Sequence, residues 1–144
     1  MMKKIIYSPL FWGFLFFAII VKACDSISDD ICGNEIYKQS QSPDGKFIAL
    51  AFSRDCGATT GLSTQISIIP VGDNLENEPG NIFITDSPPK IVKPTMSWQP
   101  DAKTLQINFI KQGEIFKANN RYGEHIAISY GENCSGQVFL ATVL

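Results

Sequence analysis

The chain is poor in the groups from which active sites are built. It has one histidine, His125, and four cysteines, no two of them spaced as CxxC. That spacing argues against a local zinc site and against a dithiol redox motif. No GxSxG elbow, HExxH helix or phosphate-cradling glycine loop occurs, which removes the sequence-encoded routes to hydrolase, metalloprotease and nucleotide chemistry. The acidic stretch Val71 to Gly80 lacks the alternating oxygen ligands of a calcium loop and reads as a solvated turn. Basic residues are few and scattered, 12 against 14 acidic ones for a net charge of −2. No stripe could track a phosphate backbone, so nucleic acid is not an expected partner. No metal and no cofactor is expected either. Beyond residue 31 no stretch holds a 3.6-residue apolar period over three turns, which argues against a helical domain. Pairing His125 with Cys134 as nucleophile is formally open, but a lone histidine beside a loop reads as a surface residue.

What the chain does have is centred on residues 42–56. In Ser42-Pro43-Asp44-Gly45, proline presets the turn backbone, aspartate can accept nearby N–H groups, and glycine tolerates the positive φ that closes the bend. An uncharged run from Phe47 to Ser53 follows, and Glu35 to Lys38 precedes it, which predicts a β-hairpin. Cys32 and Cys56 lie equally far on either side of Asp44. Strand pairing through that turn sets them opposite one another, within reach of a disulfide. A bulge would shift the register by one residue.

The first 23 residues carry Lys3 and Lys4, then an uncharged run from Ile5 to Val21, then Val21-Lys22-Ala23-Cys24. This is the layout of a secretory signal. Val21-x-Ala23-Cys24 resembles the lipobox of bacterial lipoproteins, which implies lipid on Cys24 and a mature chain beginning there. Asp25 resembles the inner-membrane retention residue of enteric lipoproteins. Two alternatives stay open: cleavage after Ala23 to a soluble secreted protein, or an uncleaved anchor, although residues 5–21 as a helix would span only about 25 Å of a core of about 30 Å. All three place the remainder outside the cytoplasm, where disulfides persist. With Cys24 lipidated, Cys134 is left unpaired; with a free Cys24 thiol, a Cys24–Cys134 bridge is open. Asn133-Cys134-Ser135 spells a glycosylation sequon that matters only in a eukaryotic secretory path. The expected organisation is a signal peptide or anchor over 1–23, a polar tether over 24–31 and a single β domain over 32–144.

Along that domain, Gln65 to Ile69 and Asn81 to Thr85 read as strands, the second ended by Ser87-Pro88-Pro89. Leu105, Ile107 and Phe109 alternate with polar residues as a half-buried strand should. Glu114 to Lys117 is expected to fold back on it across Gln112-Gly113. His125 to Tyr130 and Val138 to Thr142 are the last strands. Ser97-Trp98-Gln99-Pro100-Asp101-Ala102-Lys103 repeats the first turn, with Ala102 where Gly45 stood. Both units resemble the SPDGK hairpins of TolB-type β-propeller blades, and Trp98 stands where those repeats carry an aromatic. The resemblance is to two hairpins, since too few residues are present to close a propeller ring. The fold class expected is all-β, a small antiparallel β-sandwich or partly open barrel behind an N-terminal signal or anchor helix.

Arg54-Asp55-Cys56-Gly57-Ala58-Thr59-Thr60-Gly61, with Cys32-Gly33-Asn34-Glu35 and Ser63-Thr64-Gln65, resembles a group of small uncharacterised bacterial envelope proteins. The resemblance implies an envelope location and names no activity. The expected role is a membrane-tethered, periplasmic, non-catalytic binding module acting on a protein partner, as an accessory or inhibitor-like protein. The candidate binding loop is Arg54, Asp55, Thr59, Thr60, Ser63 and Gln65. A small enzyme using the Arg54–Gln65 loop, or a structural lipoprotein without a dedicated ligand, are the alternatives.

Overall fold

The computed structural model describes residues 32–57 and 60–133. The leader, Cys24, the tether, Thr59, Cys134 and the last expected strand lie outside the described residues.

The described chain is all-β. Strands β1 (Gly33–Gln41), β2 (Phe47–Asp55), β3 (Ser63–Pro70), β4 (Phe83–Thr85) and β7 (Ile115–Ala118) form one sheet in the order β1-β2-β3-β4-β7. Strands β5 (Thr95–Trp98), β6 (Thr104–Ile110), β9 (Ile126–Asn133) and β8 (Arg121–Tyr122) form a second, in the order β5-β6-β9-β8. The core lies between them, with Ala49, Ala51, Ile66, Ile68 and Phe83 from the first sheet meeting Leu105, Ile107, Phe109 and Ile128 from the second. This is sandwich packing, with alternate residues of each strand turned inward.

The two proline-led turns are built alike. Ser42 O accepts from Gly45 N at 2.9 Å, and Asp44 Oδ1 accepts from Lys46 N at 3.2 Å. Gln99 O accepts from Ala102 N at 3.0 Å, and Asp101 Oδ1 accepts from Lys103 N at 2.9 Å. The Ser42 hydroxyl and the Lys46 amide donate to Asp44 and hold its carboxyl below the usual carboxylate range. Gly45 has φ 71° and Ala102 has φ 56°, so alanine occupies the left-handed conformation that glycine occupies in the first turn. Replacing Ala102 with glycine is expected to stabilise the protein by roughly 0.5–1 kcal/mol. The reverse change, Gly45→Ala, meets no atom closer than 3.7 Å and costs about 1 kcal/mol through backbone strain alone. Urea midpoints of both variants check this.

The first hairpin contains a bulge that sets the disulfide. Near the turn Gln41 pairs with Ile48, and the register shifts between Ile36 and Lys38 so that Gly33 pairs with Asp55. Continued unshifted, the register would set Cys32 against Gly57. The extra residue at Tyr37 corrects it, and Cys32 and Cys56 are bonded.

Three expectations are corrected by the topology. Glu114 to Lys117 does not fold back on β6. It crosses to the other sheet as β7 and pairs with β4, Ile84 opposite Lys117. The 112–114 turn is captured by residues 85–87: Ser87 Oγ donates to Gln112 O at 2.7 Å, and Asp86 Oδ1 accepts from Glu114 N at 2.9 Å. A side chain on Gly113 would overlap Asp86 and Ser87, so only glycine lets the two segments meet so closely. Because the chain leaves for one sheet and returns, β9 reaches β6 from the same end and pairs with it in parallel, Thr104 opposite Ala127. Finally, the segment after Ser87 is not only a strand stop. Pro89–Val92 form a single helical turn, α1, with proline at its start and Lys93 closing it at φ 44°.

One side of the sandwich is pinned where the two hairpins approach. Trp98 Nε1 donates to Ser40 O at 2.9 Å, and Lys38 Nζ donates to Pro94 O at 3.4 Å.

Candidate functional site

The strand register places Arg54, Ser63 and Gln65 on the outer face of the larger sheet. Asn34, Arg54 and Ser63 share one row, and Gln65 lies opposite Phe52. Arg54 is only 4% exposed, and its guanidinium donates to Asn34 Oδ1 at 2.8 Å and to Asn77 Oδ1 at 3.1 Å. Gln65 is buried, accepts from Gly80 N at 2.6 Å and donates to Ser63 Oγ at 2.9 Å. Ser63 in turn donates to Arg54 O at 3.1 Å. Asp55 ends β2 and accepts from Gly57 N at 2.9 Å, and Thr60 Oγ1 donates to Gly57 O at 3.3 Å.

The same bonds fasten the 71–80 loop across this face. Asn34 Nδ2 donates to Glu76 O and Glu78 O, and Asn77 Nδ2 donates to Cys32 O at 2.7 Å. Most of the loop is exposed, as a solvated turn requires, yet the Asn77 side chain ties it to Arg54 and the disulfide strand, and Asn34 holds its backbone. A polar recess of about 610 Å³ beneath it includes Asp73, Glu76 and Glu78. Among the described residues no group of three or more His, Cys, Asp or Glu is placed to hold a metal ion.

Arg54 therefore has a clear structural role. Arg54→Ala removes a buried guanidinium together with its bonds to Asn34 and Asn77 and is expected to cost about 1–3 kcal/mol. Asp55→Ala, at an exposed strand end, costs about 0.5 kcal/mol. Parallel denaturation curves distinguish the two positions.

A different surface has the features of a binding site. Between the α1 segment and the first half of β1 runs a groove of about 780 Å³. Tyr37 and Leu62 line it together with Pro88, Pro89 and Pro94. Tyr37 and Leu62 are 40% and 46% exposed, large apolar surfaces that the fold leaves uncovered. The phenol of Tyr37 is partly enclosed. Burial pushes its ionisation upward, opposed by a hydrogen bond with the side chain of fully buried Thr64. The tyrosine stays neutral at physiological pH and contributes an uncharged ring to the groove wall.

Charge is concentrated here. Lys38, Lys90 and Lys93 line the groove against a single carboxylate, Glu35. Lys3, Lys4 and Lys22 lie outside the described residues, as do Asp25, Asp29 and Asp30. The described part thus carries 9 basic and 11 acidic groups (12 − 3 and 14 − 3). A third of its basic residues meet at one groove of an acidic protein. Lys93 also holds the left-handed closing position of α1, where glycine would be easier.

Sequence reasoning passed over these residues because Pro88-Pro89 reads as punctuation. The signal available was Pro88-Pro89-Lys90-Ile91-Val92-Lys93-Pro94 itself, three prolines and two lysines in a chain otherwise sparing of positive charge. No protein-family model, curated protein or solved structure matches this chain. Among the described residues no helix is long and apolar enough to cross a membrane.

Proposed function

We propose that the protein is a membrane-tethered, extracytoplasmic, non-catalytic binding module, related to small bacterial envelope proteins, whose ligand face is the groove between α1 and β1. The observation that carries this reading is the coincidence of exposed Tyr37 and Leu62, three prolines and three lysines around one recess of about 780 Å³. Apolar walls supply affinity and a few placed charges supply orientation, the usual composition of a binding site. The commitment of Arg54 and Gln65 to internal hydrogen bonds favours this surface over a reaction centred on the Arg54–Gln65 loop. Tethering is supported by the sequence alone, through the Val21-x-Ala23-Cys24 lipobox and the oxidising compartment that a Cys32–Cys56 bridge requires.

Two measurements test the two halves. Intact mass spectrometry of protein extracted from membranes is expected to show loss of residues 1–23 and lipid on Cys24; an unmodified, uncleaved chain in the cytosol would refute the tether. Photo-crosslinking in cells is expected to give adducts from a photoreactive residue at Leu62 or Lys90. The control position is Phe116, which is 62% exposed on β7. Equal labelling from Phe116, or none from the groove, would refute the assigned face.

A further inference from the structure

Building on that groove as the binding face, we infer that its occupant is an extended, acidic polypeptide segment that adds as a strand to the open half of β1. β1 is an outer strand of the larger sheet, and among the described residues one edge of its backbone has no strand partner. Exposed edges are normally blunted by bulges, lysines or covering side chains. Here those devices sit together from Tyr37 onward: the bulge, the Lys38–Pro94 bond and the Trp98 indole over Ser40. Among the described residues the stretch Gly33–Ile36 before them has no bulge or lysine and a single charge, Glu35, and Glu35 and Tyr37 open directly onto the groove.

An added strand supplies main-chain hydrogen bonds to that edge and sends alternate side chains into the recess, where specificity arises. About four residues pair with Gly33–Ile36, a length of roughly 14 Å. Apolar side chains fit against Tyr37, Leu62 and the prolines. Lys38 is already bonded to a carbonyl, so Lys90 and Lys93, both exposed, are the charges left to receive carboxylates. The concave shape and the strand edge favour a polypeptide over a flat anionic membrane, which would meet the lysines without entering the recess. Glu35 opposes an acidic occupant and limits its affinity.

The test uses the full chain in neutral detergent micelles and a fluorescein-labelled octapeptide of alternating valine and glutamate, read by anisotropy. Binding that weakens with added salt is expected, with no binding by a lysine-for-glutamate peptide or by a peptide with proline in place of valine. Lys90→Gln with Lys93→Gly is expected to weaken binding about tenfold, and Glu35→Gln to tighten it severalfold. Lys93→Gly relaxes a left-handed residue, so lost binding in that variant is not lost folding. Equal binding by the proline peptide would overturn strand addition. Binding of the chain to micelles doped with phosphatidylglycerol that is weakened by Lys90→Gln with Lys93→Gly, with no peptide binding, would replace the peptide by a lipid surface. Concentration-dependent self-association blocked by Lys90→Gln with Lys93→Gly, again without peptide binding, would replace it by a second copy of this chain. If no probe binds while groove crosslinks persist, the acidic-strand occupant is wrong and the binding face stands; if the crosslinks vanish too, both fall.

Discussion

Replacing Phe83 with alanine lowers the stability of this protein by about 4 kcal/mol, within the range of 3–5 kcal/mol seen for such truncations. Phe83 is fully buried on the short strand β4, and its ring lies 4.9 Å from that of Phe109 and 6.0 Å from that of Tyr130. Those partners belong to β6 and β9, so one side chain joins the two sheets. Its removal loses apolar burial and leaves a cavity where β4 has only three residues to hold its place. A small domain has roughly 5–15 kcal/mol in all, so this variant is expected to unfold measurably at physiological temperature. Phe83→Leu retains most of the volume and should lose less than half as much. Phe116→Ala, at an exposed position, should stay within about 0.5 kcal/mol of the parent. Equilibrium urea denaturation checks all three; a loss below about 1 kcal/mol for Phe83→Ala would contradict the assigned core.

The second large effect is expected on opening the Cys32–Cys56 bridge. The cysteines are separated by 24 positions in sequence, and releasing a loop of that size returns about 3.5 kcal/mol of freedom to the unfolded chain in the entropic model. The folded state loses as well, because Asn77 donates to the carbonyl of Cys32, and Asn77 and Arg54 tie the 71–80 loop to this end of the sheet. Cys32→Ser with Cys56→Ser is therefore expected to lower the melting temperature by roughly 10–15 °C. Hydrogen exchange should accelerate first in residues 71–80 and in the start of β1. If the double variant melts with the parent, the bridge does not staple the fold. Faster exchange confined to residues 112–114, at the far turn, would show that the loop is held by other means.

These results separate two roles that look alike in sequence. Arg54 and Gln65 sit in the motif that attracts functional interpretation, yet they are buried and spend their polar groups inside the molecule. Lys90, Lys93 and Leu62 sit in segments that read as connection, yet they face an apolar recess of about 780 Å³. A polar residue beside a cysteine is ambiguous until its burial is known. Burial is a property of the whole fold.

From sequence alone came the turns, the alternation and the bridge. Proline, aspartate and glycine act on their own backbone within a few residues, and strand alternation needs only its own period, so both hairpins and the Cys32–Cys56 pairing were legible. At Ala102 sequence marked only the missing glycine; the left-handed backbone there is a finding of the structure. Tertiary structure decided what local chemistry cannot reach: the bulge at Tyr37 that aligns the cysteines, the crossing of β7 to the opposite sheet, the parallel entry of β9, and the groove. Each depends on which distant segment arrives alongside, as Asp86 and Ser87 do at Gly113, and such meetings are set by packing across the core and not by the residues on either side of a peptide bond.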